Sequence, residues 1–207
     1  MPEEKDKIVW LFKNIQAGNE RAFDELFLRY YDRLISFAFQ YLRHSESAEE
    51  VVSEFFVRLW VKREILSNVL NPEVYLFVAI KNACLNLIRS ERKAERLWSK
   101  NLDGMPFENV PDPGGELMEE KELAQLIDFA VAALPAQRRI IFRLIKEDGL
   151  KSSAVAAILG ISTRTVENQL YKAVKTIAGS ISSYLGYHPQ KKITRKRALS
   201  NVPLLFF

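Results

Sequence analysis

Arg164, Thr165, Asn168, Tyr171 and Lys172 share one side of a stretch with helical spacing, and their side chains suit the reading of DNA. Arginine pairs bidentately with guanine, asparagine pairs with adenine, and threonine can meet a thymine methyl, while Lys172 and Lys175 can reach phosphates. Val166, Leu170, Ala173 and Ile177 recur on the opposite side at the step of a buried stripe. Upstream, Ala156, Gly160 and Val166 stand four and six residues apart. A small residue permits close helix crossing, a glycine permits a left-handed turn, and an apolar residue anchors the second helix. Ser162 is the expected N-cap of that helix. The whole stretch from 134 to 177 therefore reads as a helix-turn-helix, with an ordinary helical hairpin as the alternative.

Two further side-chain sets bear chemistry. Asn82, Asn86, Arg89, Lys93 and Arg96 follow one another at helical steps, placing amides and then cations along one face. That order suits base edges followed by phosphates, although Glu91 and Glu95 could instead pair with these cations on a solvated face. Glu49, Glu50 and Glu54 form an acidic side on a helix whose other side is Ala48, Val51, Val52, Phe55, Phe56, Leu59 and Trp60. Such a side is either solvated or a docking surface for a basic partner. Catalytic chemistry has little to work with: the histidines, His44 and His188, are far apart in sequence, and Cys84 is the single cysteine. No nucleophile with a base, phosphate loop or metal-ligand spacing is present, so neither an enzyme nor a cofactor or small-molecule substrate is expected.

The elements that must position these residues read as all-α. Ile8, Leu11, Phe12 and Ile15 mark a first helix, Gly18 and Asn19 interrupt it, and Phe23, Leu26, Phe27, Tyr30, Leu34 and Phe37 mark a long second helix to about Arg43. Ser47 and Glu50 suggest a capping box for the third helix. Asn71-Pro72-Glu73 opens a fourth, with Leu76, Ile80, Ala83 and Leu87 as its expected buried stripe. No strand alternation and no internal repeat is found.

The chain has 207 residues, 48% of them hydrophobic, enough for two small helical domains. Gly104, Pro106, Pro111, Pro113, Gly114 and Gly115 cluster in an acidic stretch that reads as a connector. The expected division is 1–97, a flexible linker at 98–117, a helix-turn-helix domain at 118–187, and a basic then apolar tail at 188–207. The net charge of +4 is unevenly spread: 1–97 is neutral, 98–120 carries −5, 121–187 carries +4 and 188–207 carries +5. The basic surplus lies where phosphate contact is expected. One cysteine excludes an intramolecular disulfide, and the absence of a signal pattern or an apolar run of about 20 residues predicts no transmembrane segment and a cytoplasmic location. The tail's KKITRKR run at 191–197 and VPLLFF end leave solvated disorder, docking and weak membrane contact open.

Taken together, AEEVVSEFFVRLW at 48–60, NPEVYLFVAIKNACLNLIRSERK at 71–93, an acidic linker and a terminal helix-turn-helix occur in an order that resembles bacterial RNA polymerase sigma factors of the extracytoplasmic-function group. The resemblance covers about 8–95 and 118–186. It implies that Glu49, Glu50 and Glu54 dock on the clamp of core RNA polymerase. It further implies that 73–96, with the loop at about 61–71, recognises and opens the minus-ten promoter element through Asn82, Asn86 and Arg89. Tyr75 and Trp60 are possible stacking groups there, or core. Arg164, Thr165, Asn168 and Lys172 would read the minus-thirty-five element. An anti-sigma factor that clamps the two domains is an implied partner. Two features depart from the pattern: Asn86 stands where the family often has Asp, and SSAVAAIL lacks the usual acidic residue near Ala154 or Ala157. The alternative is a stand-alone helix-turn-helix regulator whose N-terminal helices dimerise.

Overall fold

The computed structural model describes residues 4–98 and 119–184, with side chains described for 6–93 and 125–182. The connector at 99–118 and the tail lie outside these residues. Among the described residues the secondary structure is helical: α1 (Glu4–Gln16), α2 (Glu20–Leu42), α3 (Ser45–Val61), a 3₁₀ helix (Arg63–Asn68), α4 (Pro72–Trp98), α5 (Glu119–Ala132), α6 (Ala136–Lys146), α7 (Ser152–Leu159) and α8 (Thr163–Tyr184).

Local chemistry sets most of the helix ends. Asn19 accepts from the Ala22 amide at 3.1 Å and starts α2, while Asn71 accepts from the Val74 amide at 3.4 Å and starts α4. Helix α2 ends through Arg43, which adopts φ 58° and donates its amide to Phe39 O at 3.0 Å. Helix α3 departs from expectation. It begins at Ser45 and not at the proposed Ser47 cap; His44 is its N-cap, accepting at Nδ1 from the Ser47 amide at 3.4 Å.

Helices α1–α4 close around Leu11, Ile15, Leu26, Tyr30, Leu34, Phe56, Leu76, Phe77 and Ile80, all fully buried. Aromatic rings tie α2 to its neighbours: Phe37 meets Phe77 edge-on at 5.1 Å, and Phe27 meets Phe56 at 5.0 Å. Tyr30 buries its ring and donates its hydroxyl to Glu73 at 3.3 Å, and burial pushes its phenol pKa well up. The buried stripe of α4 is rotated from the expected one. Leu76, Phe77, Ile80 and Cys84 are fully enclosed, whereas Ala83 and Leu87 are half-buried.

Ala130, Val131, Leu134, Phe142, Ala173 and Ile177 bind α5 and α6 to α8. The second helix group does not stop there. Ile140, Ile141 and Leu144 of α6, Leu150, and Val155, Ala156 and Ile158 of α7 belong to the same apolar core as α1–α4. That contact accounts for the rotated stripe, because α7 packs against α4 and covers part of its surface.

Candidate nucleic-acid interface

The turn between α7 and α8 is built as its residue types require. Gly160 closes α7 at φ 71°, and the amides of Gly160 and Ile161 both donate to Ala156 O, at 2.9 and 3.1 Å. Two residues on, Ser162 Oγ accepts from the Thr165 amide at 3.1 Å and starts α8. Val166, Ala173 and Ile177 turn inward and are buried, with Leu170 half-buried beside them.

This rotation leaves Arg164, Asn168, Tyr171 and Lys172 exposed on the outer face of α8. Thr165 stands apart from them: its hydroxyl lies 2.8 Å from Ser162 Oγ and its side chain is half-buried. Its oxygen is already engaged in the cap, so its methyl is the freer contact. Arg138 of α6 donates to Gln169 at 3.0 Å, bracing α8 from behind. Glu167 is exposed on the same helix, and the sequence reading passed over it.

A second concave surface lies between α3, the 3₁₀ helix and α4. It is a cleft of about 290 Å³ lined by Arg58, Lys62, Ile65, Tyr75, Asn82 and Asn86, among others. Asn82 and Asn86 are thereby brought together with two cations that the sequence reading did not place there. Arg58 and Lys62 sit on a different helix, and only the packing of α3 against α4 aligns them. Arg89 donates to Asn86 Oδ1 at 3.5 Å, and it and Lys93 continue the exposed polar face along α4.

The two aromatic candidates separate here. Tyr75 lines the cleft and rests edge-on against Phe12 at 6.2 Å. Burial raises its phenol pKa, with Arg58 opposing, so the hydroxyl remains a donor at neutral pH. Trp60 is instead engaged with Phe23 at 5.1 Å and with the Arg63 guanidinium over its ring at 5.0 Å.

The acidic side of α3 is exposed at Glu49, Glu50 and Glu54. Glu54 pairs with Arg58 at 3.8 Å one turn away, and Glu49 accepts from Ser45 at 3.4 Å. Apolar side chains stand exposed beside these carboxylates: Val57 at 63% and Val61 at 67% on α3, with Leu28 at 81% on α2. Tyr31 and Ser53 hydroxyls, 3.1 Å apart, join α2 to α3 within one turn of Leu28 and Val57. The carboxylates were legible from their spacing. The apolar members were not, because an isolated Val or Leu does not announce its exposure.

Residues 26–94 match Sigma-70 region 2 and residues 124–177 match Sigma-70 region 4. The chain belongs to the sigma-70 family. It is a sigma factor, and the region 2 match favours that reading over a stand-alone regulator with a dimerisation domain. The family comprises transcription initiation factors, not enzymes.

The sigma factor is 28% identical over 131 residues to the ECF RNA polymerase sigma factor SigL of Mycobacterium tuberculosis, spanning 63% of this chain and 72% of that protein. It is 29% identical over 154 residues to the ferric citrate uptake sigma factor FecI of Escherichia coli, spanning 74% and 87%. Against the ECF sigma-E factor of Escherichia coli the identity is 24% over 179 residues, 83% of this chain and 92% of that one.

Among solved structures, CnrH in complex with the cytosolic domain of CnrY shares the fold at a TM-score of 0.55 and 23% identity, covering 86% of the sigma factor and 99% of that chain. The sigma factor RpoE bound to the anti-sigma factor NepR, from Bartonella quintana, gives 0.53 and 21%, covering 77% and 96%.

Proposed function

We propose that this sigma factor divides promoter engagement among three surfaces. The exposed face of α3, with Glu49, Glu50 and Glu54 beside Val57 and Val61, docks on core RNA polymerase. The cleft at Asn82 and Asn86 holds an unpaired base of the minus-ten element, and the outer face of α8 reads the minus-thirty-five element through Arg164, Asn168, Tyr171 and Lys172, with the Thr165 methyl beside them.

One observation carries the reading of the cleft: amides, cations and an aromatic ring converge around a space of about 290 Å³, suited to one extruded base and too small for a duplex. Holding a base outside its stack requires hydrogen-bonding groups at its edge and an aromatic or apolar wall at its face. Asn82 and Asn86 supply the edge groups, Tyr75 and Ile65 supply walls, and Arg58 and Lys62 neutralise the adjoining backbone. Arg89 and Lys93 extend that positive path along α4.

Work on a transcription apparatus places the protein in the cytoplasm. No described helix is long and apolar enough to cross a membrane. Neighbouring folds are held by partner chains named as anti-sigma factor or as a cytosolic domain. An anti-sigma factor is accordingly the regulatory partner expected here, covering the faces that promoter and polymerase need.

The direct test is binding of the purified chain to bacterial core RNA polymerase, beside a Glu50→Lys, Glu54→Lys double variant. Both positions are exposed, so the variant should keep its helical signal and lose clear affinity. A folded parent that does not bind core polymerase would refute the proposal.

A further inference from the structure

The seam between the two helix groups is not used by any surface proposed above. Its centre is apolar, formed where Ile140, Ile141 and Leu144 of α6 and Val155 and Ile158 of α7 join the core of α1–α4. Three polar contacts cross it. Arg33 of α2 donates through Nε to Asp148 Oδ1 at 2.8 Å and through a terminal nitrogen to Asp148 O at 2.9 Å. Arg139 of α6 donates through Nε to Gln40 Oε1 at 2.9 Å, with both residues buried. Lys81 of α4 donates through Nζ to Ile158 O at 2.5 Å.

The lysine contact fills a particular deficit. The last carbonyls of any helix lack intrahelical partners and carry partial negative charge. Helix α7 has no basic residue in its own last turn, and its Ile158 carbonyl receives a cation from the other helix group. The scaffold helix of the helix-turn-helix is therefore capped by α4, the helix assigned above to the minus-ten element.

This packing limits where the two readers can be. Helix α4 packs on α7, and α7 on α8. Packed helices lie about 8–10 Å apart, which puts the nearest parts of α4 and α8 within about 20 Å. Elements centred near minus ten and minus thirty-five are separated by about 25 base pairs, or ~85 Å at ~3.4 Å per pair. The closed chain cannot occupy both.

We infer that the seam is an autoinhibitory latch: Arg33–Asp148, Arg139–Gln40 and Lys81–Ile158 hold the free chain closed, and promoter engagement requires them to part. The inference rests on the promoter reading proposed above. Two further features fit a seam that opens. A cleft of about 230 Å³ lies along it, bordered by Arg33, Ser36, Gln40, Arg143 and Asp148, so packing there is incomplete. Burial also raises the Asp148 carboxyl above its ordinary range despite Arg33 against it. Desolvation thus offsets much of the ion-pair attraction, and the pair fixes geometry more than it adds strength.

The test is single-molecule FRET on the full chain, with dyes on Arg21→Cys and Ala178→Cys. Both positions are exposed, and Cys84 is fully buried. The parent should show one high-efficiency population. Asp148→Arg, which sets a cation against Arg33, and Lys81→Ala should each raise the low-efficiency population about tenfold. Apparent affinity for core polymerase should rise by a similar factor, since it scales with the competent fraction. The Arg33→Asp, Asp148→Arg exchange should restore the closed population, which separates latch loss from misfolding. A parent that is already extended, or a distribution unmoved by either single variant, would overturn the latch. A parent that closes and opens as described but never binds core polymerase would overturn the promoter reading and leave the closed seam standing.

Discussion

Gln40 and Arg139 are both buried and meet between the two helix groups, Arg139 Nε donating to Gln40 Oε1 at 2.9 Å. The same guanidinium donates to Ala132 O at 2.6 Å, and Gln40 Nε2 donates to Ser36 O at 3.3 Å. Each residue is thus held in its own group while reaching for the other. Gln40→Ala leaves a buried cation short of one acceptor and should lower unfolding free energy by ~1–3 kcal/mol. Denaturant unfolding measures this; a loss below about 0.5 kcal/mol would mean that water replaces the glutamine.

Two glycines of the helix-turn-helix should respond to alanine with opposite signs. Gly160 sits at φ 71° with no neighbour near a new Cβ, so Gly160→Ala meets backbone strain alone and should cost ~1–2 kcal/mol. Gly179 lies within α8 with open space around its Cβ position, and Gly179→Ala should gain up to ~1 kcal/mol in helix propensity. Thermal melting of the two variants should bracket the parent. Equal shifts in one direction would contradict the turn geometry.

The readout face of α8 predicts two kinds of loss. Arg164→Ala should relax preference at one base position by ~1–3 kcal/mol, whereas Lys172→Ala should weaken all sequences more evenly and reduce the salt dependence of binding. Competition binding with base-substituted minus-thirty-five duplexes at two salt concentrations distinguishes them. Losses of the same size on every duplex from both variants would remove Arg164 from base reading.

Acid should act on the seam in an unusual direction. Burial is the largest influence on both Asp148 and Glu147 and raises both carboxyls, with Arg33 opposing at Asp148 and Arg143 opposing at Glu147. A raised folded-state pKa means the native chain binds more protons than the unfolded chain between the two values. Stability from these groups is therefore present at low pH and is lost as pH rises through the folded pKa. The parent should be at its most stable relative to Asp148→Asn in mild acid, and that advantage should shrink toward neutrality. Unfolding of both proteins between pH 4 and pH 7 tests the sign, and an advantage that grows with pH would contradict it.

The helix-turn-helix was legible because its instructions are local. Gly160 permits the turn, Ser162 caps the next helix, and the stripe from Val166 to Ile177 fixes which side faces out. The acidic side of α3 was legible for the same reason, although its start was not. Ser47 and Glu50 matched a capping box in type and spacing, yet α3 extends two residues further and takes its cap from His44. Periodicity placed Leu76 and Ile80 in the core but could not choose between Ala83 and Cys84. That choice depends on α7 arriving from far along the chain to cover one flank of α4. Arg58 and Lys62 joined Asn82 for an equivalent reason: they share no helix, and only tertiary packing makes them neighbours.

The shared core bears on how such a chain can be rebuilt. Proteins strung from independent modules accept transplants, because each part carries its own interior. Here a C-terminal half grafted from another source would have to present an acidic side chain to Arg33, a buried donor to Gln40 and a helix end to Lys81. Lacking those, the graft would leave the N-terminal half with unmet polar groups and bare apolar surface. New promoter preferences are therefore more safely written into the outer face of α8 than imported as a whole domain.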